Sequence, residues 1–150
     1  MSRRPFSRAA PACAVVLLVL GPGCGGGKTY PVDGQVTFDG QPLVARSAVV
    51  VLVPDRARGN ATADEPGGTV DSSGRYSVYT KGRRGAPPGW YKVVVTAIGD
   101  AGPPPKGPLT HRPTAKSLVP ARYGQAGTTD LEIEVVPSPE AGAYDLKLKR

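Results

Sequence analysis

From Val32 onward, apolar and polar residues alternate in short runs, and no run repeats at helical spacing. A period of two sends successive side chains to opposite faces of an extended strand. The pattern therefore commits the chain to β-structure with one buried face. Val32, Val36 and Phe38 share a face of the first run, and Tyr76 and Val78 share a face of a later one. From Gly89 to Ala97, Tyr91, Val93 and Val95 face one way, and Trp90, Lys92 and Thr96 the other. Leu131, Ile133 and Val135 alternate with Asp130, Glu132 and Glu134; Tyr144, Leu146 and Leu148 alternate with Asp145, Lys147 and Lys149. Ala48 to Val53 is continuously apolar and ends at Pro54, as expected of a strand buried on both faces or central in its sheet.

The 20 glycines and 17 prolines approach a disordered composition, but they fall between the alternating runs and read as punctuation. Asp39-Gly40 is a turn. Thr69 to Tyr76 is expected as a tight hairpin, in which Asp71 can accept hydrogen bonds from backbone N–H groups two or three residues on. Residues 98–129 hold six prolines and no periodicity, and are expected as one long irregular loop. Seven strands result, each polar on one face, and the expected fold is an all-β, seven-stranded sandwich. Its expected core is Val36, Phe38, Val49, Val51, Tyr76, Val78, Tyr91, Val93, Val95, Leu131, Ile133, Leu146 and Leu148. The last two strands are expected to form a hairpin across residues 137–142, with Asp130, Glu132 and Glu134 facing Lys147 and Lys149. If each strand reverses the last, connections 54–67, 81–88 and 137–142 lie at the end where the first strand starts. Connections 39–47, 71–74 and 98–129 lie at the other end.

The first 23 residues do not belong to this pattern. Arg3, Arg4 and Arg8 precede an apolar run from Ala9 to Leu20, and Gly21, Pro22 and Gly23 lead into Cys24. That order is a signal peptide's, and the run is shorter than the ~20 apolar residues of a membrane span. A cysteine in that place resembles the lipobox of bacterial lipoproteins, which implies acylation of Cys24 as the mature N-terminus. Gly25-Gly26-Gly27 would follow as a flexible spacer, giving a signal at 1–23, a tether at 24–29 and a domain at 30–150. An ordinary secretory signal is the alternative. Ser2-Arg3-Arg4-Pro5-Phe6 also resembles the twin-arginine export signal, and both export routes stay open. Gly25 after the cysteine implies, by resemblance, the outer membrane where a cell has one.

Removal of the signal takes away three arginines, so the net charge falls from +7 to +4. A +4 domain of mixed sign, once exported, is not expected to bind nucleic acid. The two cysteines are Cys13, lost with the signal, and Cys24, so the domain has no disulfide and depends on its apolar core.

Gly34-x-Val36-Thr37-x-Asp39-Gly40-Gln41-Pro42-Leu43, Val70-Asp71-x-x-Gly74-x-Tyr76, Gly85-Ala86-Pro87-Pro88-Gly89-x-Tyr91-Lys92-Val93 and Val119-Pro120-x-x-Tyr123 occur in that order. Together they resemble the small bacterial lipoproteins with a carboxypeptidase regulatory-like domain. The resemblance covers roughly residues 30–150 and implies a transthyretin-like, Ig-like sandwich at the cell envelope. Where the family often has a glycine after its Pro-Leu, this chain has Val44-Ala45-Arg46-Ser47. The family implies a fold and a location rather than an activity.

Enzyme chemistry is not expected. The one histidine, His111, lies in the proline-rich loop beside Arg112, with no carboxylate within ten residues after it or before Asp100 to act as its orienting partner. With Cys24 acylated, no cysteine remains for a transition-metal site, and no cofactor is expected. Asp71-Ser72-Ser73-Gly74 superficially resembles the start of a calcium loop but lacks the later bidentate Glu, and the hairpin explains Asp71. Trp90 on an outer face suits a sugar or peptide platform; the plainer reading puts it under the 98–129 loop as a satellite core. Lys81, Arg83 and Arg84 form a basic loop, either simply solvated or directed at anionic lipid or acidic polysaccharide. The expected function is a non-enzymatic, lipid-anchored interaction module, with the membrane and an envelope protein or polysaccharide as partners. The alternative is a carbohydrate-binding module using Trp90 and the 98–129 loop. Trp90, His111, Arg112 and Tyr123 are the candidate contact residues.

Overall fold

The computed structural model describes residues 27–99 and 116–150. The signal segment, Cys24, His111 and Arg112 lie outside the described residues. The described chain is all-β. Ten strands lie among the described residues: β1 (Asp33–Phe38), β2 (Gln41–Pro42), β3 (Ser47–Pro54), β4 (Gly67–Thr69), β5 (Arg75–Ser77), β6 (Tyr79–Thr80), β7 (Arg83–Arg84), β8 (Gly89–Ile98), β9 (Glu132–Val135) and β10 (Leu146–Leu148). Short 3-10 turns occupy Arg56–Arg58 and Ala121–Gly124. Where seven strands are expected, ten are found, three of them the two-residue pieces β2, β6 and β7.

Two sheets share these strands. The larger runs β7-β6-β4-β3-β8-β9; the smaller runs β10-β1-β2, with β5 also paired to β1. The long antiparallel pair β3–β8 is in register over eight residue pairs, from Ser47↔Ile98 to Pro54↔Tyr91. Ala48, Val50 and Leu52 oppose Ala97, Val95 and Val93, and all six are buried. The chain crosses between the sheets at Val78, fully buried, whose N–H donates to the Val32 carbonyl of the smaller sheet's side. At Gly68 a Cβ would lie 1.9 Å from the Ser77 carbonyl oxygen, so only glycine lets β4 pass this close to β5.

Three expectations need correction. In β3 the buried residues are Ala48, Val50 and Leu52, while Val49 and Val51 are only half-buried. A run without alternation carries no parity; the partner β8 set it. Phe38 and Leu131 pack on the core margin rather than within it. Second, the last two strands form no hairpin. β9 pairs antiparallel with β8, and β10 pairs parallel with β1, with Val36 opposite Leu146. Charge complementarity between two strands is satisfied by many partners, and the core needed β10 beside β1. Third, the end of the expected 98–129 loop is folded: Ser117 bridges Ile98, and Val119 and Tyr123 are buried.

The strand directions follow the alternation. Tyr30 bridges Ala86, and the Thr29 hydroxyl donates to the Arg84 carbonyl at 3.2 Å, so the lead-in sits at the end that carries the 81–88 connection. Gly99 donates to the Lys116 carbonyl at the opposite end, where Ser47 opens β3.

Because Val50 is fully enclosed and Val49 is not, Val50→Ala should cost roughly 1–4 kcal/mol and Val49→Ala distinctly less. Denaturant unfolding of the two variants measures the difference; equal losses would reverse the facing of β3.

Candidate functional site

Trp90 is the second residue of β8 and stands on the outer face of the larger sheet, opposite Glu134 of β9. What covers its ring among the described residues is Arg58, not the 98–129 segment. Arg58 ends a 3-10 turn that forms because the Asp55 side chain accepts from the Ala57 N–H at 3.0 Å, capping the turn. The turn aims the guanidinium carbon at the indole, 4.3 Å from the ring centroid. The same guanidinium is held by Glu132 at 2.7 Å and approaches Asp55 at 3.8 Å, and Lys92 bonds the other oxygen of Glu132. Below, the buried Asn60 amide donates to the Trp90 carbonyl at 2.8 Å and its oxygen accepts from the Thr62 N–H. The platform is therefore rigidly placed, with one face filled by a cation. A stacking ligand on that face must displace Arg58.

The described flanks of the proline-rich segment, Gly99 and Lys116, lie at the other end of β8. Nine residue steps along the strand separate Trp90 from Gly99, about 30 Å. The structure thus keeps these two flanks away from Trp90; the end of the segment returns to β8 at Val93, whose carbonyl accepts from the Thr129 hydroxyl at 2.8 Å. Tyr123 is displayed to no partner: it is 1% exposed. Its hydroxyl lies 3.0 Å from the Lys149 N–H, which donates to it, and 3.2 Å from the Lys149 carbonyl, to which it donates. Arg122 stacks on its ring at 4.6 Å and also donates to the hydroxyl. Tyr123 closes the end of β10. Its place in a segment without periodicity concealed this role.

A second concavity, about 470 Å³, lies over β1 and β5 and is lined by Asp33, Gln35, Arg75, Ser77, Arg84 and Asp145. Asp33 accepts from the Ser77 hydroxyl at 2.6 Å and from Arg84 at 2.9 Å. Partial burial raises the Asp33 carboxyl, but these two donors outweigh it and hold the group below its ordinary value. Asp145 accepts from the Gln35 N–H at 2.9 Å. The basic 81–84 loop is thus largely paired within the domain: Arg84 with Asp33, and Lys81 with Asp64 at 2.6 Å. Arg58, Asn60 and the Asp33–Arg84 pair went unnoticed in the sequence; only the Asp55-x-x-Arg58 spacing signalled any of them.

Asp71 behaves as a turn residue, accepting from the Ser73 N–H, the Ser73 hydroxyl and the Arg75 N–H. Among the described residues no three His, Cys, Asp or Glu side chains are grouped to hold a metal ion. No protein-family model, curated protein or solved structure matches this chain.

Two outcomes follow from this geometry. Trp90 is the sole tryptophan, so its fluorescence reports on Arg58 directly. Arg58→Ala should raise acrylamide quenching of Trp90 while costing about 1 kcal/mol or less, because the pair is partly exposed; unchanged quenching would show that Arg58 does not shield the ring. The Asp33 carboxyl contributes stability that is full above its unfolded value near 3.8 and is lost as pH falls through its lower folded value. The stability difference between wild type and Asp33→Asn should accordingly shrink on acidification below about pH 4. A difference independent of pH there would separate Asp33 from the acid limb.

Proposed function

We propose that this chain is a non-enzymatic, lipid-anchored module of the bacterial cell envelope, a transthyretin-like β-sandwich of the carboxypeptidase regulatory-like kind. It works by interaction rather than catalysis. The observation that carries this reading is the order of basic residues, apolar run, small residues and Cys24 immediately ahead of an all-β domain. The way the chain enters the domain supports it. Thr29 and Tyr30 are bonded to Arg84 and Ala86, so Gly25 to Lys28 are the residues between the anchor and the first bonded position. Four residues reach at most ~14 Å, which holds that end of the domain near the membrane and presents the opposite end outward. A domain with one histidine and no cysteine after Cys24 has little to offer nucleophilic or metal chemistry. The carbohydrate platform on Trp90 is the weaker reading, because Arg58 already occupies a ring face.

Metabolic labelling with a tagged fatty acid tests the anchor. Wild type should take up the label and fractionate with membranes; Cys24→Ser should do neither. An unlabelled wild type, or a variant that stays on membranes, would end the lipoprotein reading.

A further inference from the structure

The outer face of β1 and β10 bears cations that the rest of the domain leaves unanswered. Thr37 of β1 is the cross-strand partner of Lys147. Leu146 and Leu148 turn into the core, so Lys147 and Lys149 both stand outward, about 7 Å apart along the strand. With Thr37, Asp39, Gly40 and Arg150 they bound an open groove of about 660 Å³. Arg122 lies beside it and holds its far end in place, donating to the Lys149 carbonyl at 2.5 Å and to the Arg150 main-chain oxygen at 3.1 Å. The groove has one side-chain carboxylate, Asp39, and it is already engaged by Arg150 at 3.4 Å. Among the described residues, no side-chain carboxylate lies within 4.0 Å of Lys147 or Lys149. Other cations are divided: Lys81, Arg84, Arg58 and Lys92 each have an acidic partner, while others such as Arg56 and Arg83 have none within 4.0 Å among the described residues; what sets the groove apart is that its cations line one concavity.

We propose that this groove binds a polyanionic glycan, a carbohydrate chain carrying repeated carboxylate or phosphate groups, laid across the outer face of β1 and β10. The inference rests on the envelope reading only for where such a polymer would be met. Charge complementarity names the class: two ammonium groups about 7 Å apart on an extended chain, with the Arg150 guanidinium beside them, suit a polymer that carries several anions along its length. An acidic peptide is disfavoured because it would bind best by adding to the free edge of β10, and Tyr123 occupies the Lys149 N–H and carbonyl there. A nucleic acid is disfavoured because no aromatic side chain lines the groove to stack a base. The groove lies at the end where β1 and β10 finish, away from Thr29 and Tyr30, and so away from the bilayer on the anchored reading.

The full chain in detergent micelles is titrated with polygalacturonate and with a phosphomannan, which separate carboxylate from phosphate as the source of charge. Neutral dextran, polyglutamate and a single-stranded oligonucleotide are the comparators. Wild type should bind at least one of the two anionic glycans, with affinity falling on the order of tenfold as salt rises from low to several-fold above physiological strength. Lys147→Gln with Lys149→Gln should weaken binding by about tenfold or more. Arg56→Gln with Arg83→Gln, removing two exposed cations at the opposite end, should leave it unchanged. Circular dichroism establishes that both variants fold. Binding to neither glycan, equal binding by the Lys147/Lys149 variant, an equal loss in the Arg56/Arg83 variant, or tighter binding to polyglutamate or the oligonucleotide would each overturn the proposal. Fatty-acid labelling of Cys24 is a separate readout, so failure of the anchor and failure of the groove are told apart.

Discussion

The eight-pair ladder between β3 and β8 is the interaction on which the other elements depend. It is the longest stretch of regular pairing, and its inner face supplies Val50, Leu52, Val93 and Val95, all fully enclosed. β4 takes its register from β3 and β9 takes its register from β8, so the larger sheet grows outward from this pair in both directions. The facing of β3 shows the dependence most plainly. Its own residues allow either parity, and only the requirement that they oppose the buried side of β8 selects Ala48, Val50 and Leu52.

With no disulfide available after Cys24, buried tyrosines tie the connections to this core. Tyr76 donates to the Tyr144 carbonyl at 2.6 Å, Tyr91 to the Pro87 carbonyl at 2.9 Å, and Tyr123 to the Lys149 carbonyl at 3.2 Å. The Tyr144 hydroxyl in turn accepts from the Val136 N–H at 3.3 Å. Each ring contributes apolar area to the core and each hydroxyl satisfies a backbone group that sheet pairing leaves free. Burial, with the Asp145 carboxylate nearby, pushes the Tyr76 phenol far above its ordinary range, which favours the protonated form that donates to the Tyr144 carbonyl. No buried side-chain polar atom among the described residues is left without a partner.

The two ends of the domain differ in how they treat charge. At the end where the chain enters, several cations are matched within the fold, through Asp33, Asp64 and Glu132. Such partly exposed pairs contribute little stability. At the opposite end, Lys147 and Lys149 extend from β10 unmatched. The separation arises from topology. The acids of β9 would have answered those lysines in a hairpin; because β10 joins β1 instead, Glu132 turns to Arg58 and Lys92.

Much of the fold was legible along the chain because it is encoded locally. Alternation in β1, β8, β9 and β10 marks strand and facing through the two-residue period alone. Asp71 forms its turn with partners no more than four residues away, so its role is read without tertiary knowledge. The sequence likewise places both cysteines, Cys13 and Cys24, ahead of the alternating runs and gives the first 23 residues their distinct character. Tertiary structure decided whatever requires a distant partner. It chose the parity of β3, since an unbroken apolar run has no preferred face. It sent β10 to β1 and β9 to β8, since cross-strand charge is too weak and too common to choose between partners. It buried Tyr123 and placed Arg58 over Trp90, since both contacts join segments whose separation in sequence carries no periodic signal.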